Sequence, residues 1–124
     1  MSNALFGDNA TLYRKTRVNG ADVYARYELR GVQWRQKIVR EASEGGRYSV
    51  RTATSVTIPA DTIGADMFPG PMQGDVLVYG SGPQITKAYT IADLRREFPS
   101  YCTVQAVADN TLRPRLRHWR VEAV

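Results

Sequence analysis

The sequence predicts an all-β, mainly antiparallel domain: a small barrel or sandwich with one short helix and a long loop. Three observations predict it. Apolar and polar residues alternate with period two over much of the chain, the spacing that puts one set of side chains on each face of a strand. Asn19-Gly20 separates two such runs, and this dipeptide accepts the positive φ angles of a two-residue hairpin turn. Only IADLRREF, Ile91 to Phe98, carries helical spacing with a capping residue before it.

Taken in order, TLYRKTRVNGADVYARYELRG forms the first hairpin. After its turn Val23, Ala25, Tyr27 and Leu29 alternate with Tyr24, Arg26, Glu28 and Arg30, so one face is suited to burial. Gly31 interrupts as a bulge or bend would. Beyond it Val32, Trp34, Gln36 and Ile38 continue the strand in a new register, with Trp34 as a core anchor. EASEGG then marks a turn. Tyr48, Val50, Thr52, Thr54, Val56 and Ile58 share one face of a β-branched strand that Pro59 ends. From Ala60 to Gly74 the chain runs ADTIGADMFPGPMQG, long for a connection within one domain. Its Asp61, Ile63, Met67, Phe68 and Met72 are the candidate interaction residues. GDVLVYG is a short buried strand between glycines, and SGPQITKAY a turn with a short extended piece. Thr90 caps the helix, with Asp93 three residues on; Ile91, Leu94 and Phe98 share a face, and Pro99 stops it. Tyr101 to Ala108 and Leu116 to Val124 are the last strands, joined through a turn at Asp109-Asn110. The count is six or seven strands.

At 124 residues, 43% hydrophobic and 23% charged, the chain is one domain, 1–124, of ordinary globular composition. No stretch approaches the roughly 20 apolar residues of a membrane helix, and MSNALFGDNA lacks signal-peptide character. The expected setting is therefore the cytosol, or an assembly built from it, with no membrane partner. Cys102 has no partner for an internal disulfide and reads as a buried strand residue.

The net charge of +5 comes from fourteen Arg and three Lys against twelve carboxylates, which favours an anionic partner, nucleic acid or acidic protein. Arg113, Arg115 and Arg117 cluster beside His118 and Trp119 as the candidate basic surface. Phosphates would meet the guanidinium groups, and an aromatic ring would stack on a base. Strand parity sets Arg115, Arg117 and Trp119 against Leu116, His118 and Arg120, so neither face is uniformly basic. His118, the only histidine, has no Cys or carboxylate at ligand spacing, and no nucleophile elbow, phosphate loop or dinucleotide fingerprint is present. The expectation is a non-enzyme without metal or cofactor.

Three segments, NATLYRK with ELRGVQWRQK, GDVLVYG, and VQAVADNTLRPRLRHWRV, carry a resemblance to small neck or minor capsid proteins of tailed bacteriophages. Its motif positions are Gly31, Val32 and Trp34; Gly74, Asp75 and Val76; and His118, Trp119 and Val121. The resemblance implies a head-closure, or stopper, protein of the head-to-tail interface. Its implied partners are copies of itself in a six-fold or twelve-fold ring, the portal or adaptor and tail terminator proteins, and packaged DNA in transient contact. It also implies location in the virion, after assembly in the host cytoplasm. The Ala60–Gly74 loop would project into the channel. The competing reading is an OB-like module that binds single-stranded nucleic acid.

Overall fold

A computed structural model describes residues 7–42, 45–60, 70–112 and 117–124, and among these described residues there are six strands and one helix. The elements are β1 (Asp8–Val18), β2 (Ala21–Ala42), β3 (Tyr48–Pro59), β4 (Val76–Tyr79), α1 (Ile91–Glu97), β5 (Cys102–Asp109) and β6 (His118–Ala123). Every pairing is antiparallel, and the order β1-β2-β3-β6-β5-β4 returns to β1, closing a barrel. Closure removes the open edge strand that a flat sheet of this composition would expose.

β2 makes closure possible. Its first half pairs with β1 and its second half with β3, so one strand of 22 residues turns the corner between two sheets. Gly31 sits at the bend with φ 75°, and the register slips there: Asn9 faces Arg30 while Asp8 faces Val32. The extra residue flips the parity, so Leu29 and Val32, three apart, both point inward and are fully buried. The expected bulge and register change are therefore present. The first hairpin also turns where expected, with Asn19 and Gly20 at φ 52° and 79°.

The core is the barrel interior, where Ala10, Leu12, Leu29, Val32, Val56, Ile58, Leu77, Val104 and Val121 are buried and Tyr27, Trp34, Val107 and Trp119 pack at the margin. Each fully buried aliphatic side chain contributes about 1.5–3 kcal/mol relative to exposure. A second cluster lies outside the barrel wall, where Tyr13, Val76, Val78 and Leu94 are buried among Ile85, Tyr89, Ile91, Phe98 and Tyr101. This is why Ala10 to Tyr13 are buried on both faces, in contrast to simple alternation. α1 is the cover, and its cap is as expected: Asp93 N–H donates to Thr90 Oγ1, and Thr90 N–H donates to Asp93 Oδ2. SGPQITKAY forms no strand; it runs along the wall towards the helix.

Two stretches expected to bury a face do not. Val23 is 46% exposed, and Ile38, Val50 and Tyr48 are 70%, 63% and 73% exposed. The hairpins outrun the barrel: β1–β2 pairing continues to Val18↔Ala21 and β2–β3 pairing to Ala42↔Tyr48. Beyond the neighbouring strands the inward face has nothing to pack against. Each hairpin thus ends as a two-stranded arm. The last strand begins at His118 rather than Leu116, whose position lies among residues not described.

Candidate functional site

Strand directions sort the connections between the two ends of the barrel. One end gathers the β1–β2 arm, the exit of β3, the entry to β4 and the β5–β6 connection; the other carries the β2–β3 arm, the start of β1 and the end of β6. Ala60 and Gly70, which flank the long loop, and Asn110 and Arg117, which flank the arginine cluster, therefore lie at one end. Ala60 N–H donates to Arg117 O at 2.9 Å, and Asn110 N–H donates to His118 O at 2.9 Å.

A buried ion pair organises this end. Arg14, the last inward residue of β1 before the arm, meets Asp75 through two bonds: Nε to Oδ1 at 3.1 Å and Nη2 to Oδ2 at 2.7 Å. Their side chains are 14% and 4% exposed. Arg14 Nη2 also donates to Gly70 O at 2.5 Å, and Met72 N–H donates to Asp75 Oδ2 at 2.8 Å. The Asp75 carboxylate raises the Arg14 pKa further above its ordinary value, against the opposing effect of burial. Trp119 lies over Gly70, with ring atoms 3.3 Å from where a Cβ would stand, and Gly70 has φ 102°. No larger residue fits without displacing the indole. Gly74 N–H donates to Val104 O at 2.9 Å, and Val104 N–H donates to Asp75 O at 2.8 Å, completing the clasp.

The sequence-derived candidates divide accordingly. Asp75 and Trp119 meet through residues 70–75, and Trp34 stands at the opposite end of the barrel. Trp34 makes a T-shaped contact with Tyr79 at 5.6 Å, and Asp8 accepts from both Trp34 N–H and Tyr79 Oη. Gly74 is exposed at φ 93°, Gly31 is the bulge, and His118 is half-buried with Nε2 3.3 Å from Asn110 Nδ2; these three serve turns and pairing rather than the core. Met72 is 58% exposed. Asp61, Ile63, Met67, Phe68, Arg113 and Arg115 lie outside the described residues, while Arg117 is exposed.

The extent of the loop is corrected. Residues 60–74 looked like one projecting segment, yet Gly70 and Pro71 are buried and Arg14, Asp75 and Trp119 hold the return. Hydrogen bonds across 56 and 61 positions of sequence leave no local signal. Arg14 and Gly82 were missed for the same reason. Gly82 passes so close to Tyr13 that a Cβ would stand 2.2 Å from the phenol oxygen. It accepts from Arg26 Nε and donates to Thr11 Oγ1, while Tyr13 Oη donates to Pro83 O.

Cys102 is buried, with its thiol against Leu77 O, and burial pushes its pKa up to about 11. A thiol so protonated is a poor nucleophile. Among the described residues no three of His, Cys, Asp and Glu converge as metal ligands.

The fold and this clasp define a small closed β-barrel with two arms. The chain belongs to a family of unknown function, DUF6751, whose model matches residues 5–124. No curated protein and no solved structure matches it.

Proposed function

We propose that the protein is a structural subunit of a phage head-to-tail junction, a head-closure ring between connector and tail. The observation that carries this reading is that the described ends of two connections, Ala60 with Gly70 to Asp75 and Asn110 with Arg117, lie at one barrel end, anchored by the Arg14–Asp75 clasp. A rigid barrel holding connections at a common end suits a subunit that presents them to a channel, while two projecting arms suit contacts with neighbours in a cyclic assembly. The resemblance over the GVQW, GDV and HWRV segments supports the same reading.

The OB-like alternative has less support. An OB barrel has five strands, whereas this ring has six, and the Trp119 face is packed on Gly70 and the core margin.

Purified virions test the proposal. The expected result is six or twelve copies per particle in a ring at the neck, with the isolated protein monomeric or weakly associated. Absence from virions, or a single copy, defeats it.

A further inference from the structure

The β2–β3 arm concentrates positive charge. Between positions 35 and 51 the sequence places Arg35, Lys37, Arg40, Arg47 and Arg51 against Glu41 and Glu44, a net +3 within a chain of net +5. The register separates these residues by face. Arg35 opposes Ser55, Lys37 opposes Ala53 and Val39 opposes Arg51, so Arg35, Lys37 and Arg51 stand on the outer face together with position 41, a glutamate, while Arg40 falls on the face of Ile38 and Val50. All three cations are exposed. Lys37 and Arg51 line one shallow groove with Gln105 and Glu122, and Glu122 is itself paired with Arg120 at 3.7 Å. From Arg35↔Ser55 to Ala42↔Tyr48 the ribbon runs about 24 Å, and residues two apart on one face are about 7 Å apart.

We propose that this outer face binds the phosphate backbone of nucleic acid. Three exposed cations at successive pairs of the ribbon, two of them arginines whose forks match phosphate oxygens, fit a polymer with repeated negative charge. A second copy of the chain is the competing occupant, since Glu97 and Asp109 are exposed carboxylates that it could offer, but two isolated acids match a row of cations less well than a polyanion does. The surface rests on the base of the arm and the adjoining barrel wall, whether or not the chain occupies a phage neck, and it differs from the RLRHWR segment that the sequence singled out.

Fluorescence anisotropy with a 20-base-pair duplex and a 20-nucleotide single strand, between 50 and 200 mM salt, tests it. The wild type should bind the duplex with a log–log salt slope of about −2 to −3, as three phosphate contacts require. The triple variant Arg35→Thr, Lys37→Thr, Arg51→Thr keeps strand propensity and should lose at least about tenfold in affinity and most of that slope. Arg113→Thr, Arg115→Thr, Arg117→Thr should stay within about threefold of wild type. Acetylation of the unaltered protein gives an independent readout, because its three lysines are Lys15, Lys37 and Lys87. Bound duplex should protect Lys37 and leave Lys15 and Lys87 reactive. The proposal is overturned by equal binding of the arm variant in its folded state, by equal protection of all three lysines, or by binding to phosphatidylserine vesicles with none to either oligonucleotide. A negative virion experiment leaves this result untouched.

Discussion

Single residues at the clasp carry energies well above those of surface ion pairs. Arg14 and Asp75 are nearly withdrawn from water, so removing one partner leaves a buried charge with no counter-ion. Arg14→Met should destabilise by about 3–5 kcal/mol in urea denaturation, and Arg14→Met with Asp75→Leu should recover part of that loss. Additive losses would show that the pair does not act as a unit. Gly82 is constrained by space: Gly82→Ala drives a methyl into the Tyr13 hydroxyl, and should cost more than the same change at Gly7, which meets nothing within 4 Å. Cys102, with its pKa near 11, should resist iodoacetamide at pH 8 in the native state and react on unfolding. Rapid native labelling would contradict its burial.

At the scale of elements, α1 has two turns and depends on its cap and on Leu94 for stability. The Asp93 carboxyl is held below its ordinary 3.8, chiefly by the Thr90 N–H, with help from Arg96 and the Thr90 hydroxyl. A depressed folded-state pKa contributes stability above the unfolded value and loses it as pH falls through the folded one. Asp93→Asn should therefore lower the Tm at neutral pH, and the gap from wild type should close below about pH 3.8. A gap constant down to pH 2 would mean that the carboxylate charge contributes nothing. In β2 the bend depends on Gly31 at φ 75°, a conformation that costs an L side chain about 1–2 kcal/mol. Gly31→Ala should lower stability by that amount in the same denaturation experiment.

For the whole molecule, the Arg14–Asp75 clasp distinguishes two parts of the long connection. Replacing 61–69 by a Gly-Ser segment of equal length keeps the bonds of Gly70, Met72 and Asp75 given above and should leave the thermal transition in place while, on the proposed neck role, abolishing head-to-tail joining. Extending the replacement to 74 removes the buried Pro71 ring and loosens the backbone that presents Gly70 O to Arg14 and Met72 N–H to Asp75, and should lower the transition markedly. If the shorter replacement also unfolds the protein, residues 61–69 belong to the core rather than to an interaction surface.

The sequence alone determined the elements whose causes are local. Asn19-Gly20 set a turn, Gly31 a bulge, Thr90 and Asp93 a helix start, and period-two alternation the antiparallel strands, because each depends on backbone preferences within a few residues. Cys102 was legible because a lone cysteine in an apolar strand favours burial. Tertiary structure decided which alternating faces were covered. Val56 and Val50 lie on one face of β3, yet β6 reaches the first and not the second, so one is core and the other arm. It also decided that Ala10 to Tyr13 are buried on both sides, that residues 70–74 belong to the fold, and that Arg14 joins Asp75. The reason is the same in each case: barrel closure brings together residues tens of positions apart, and neither composition nor period encodes which of them meet.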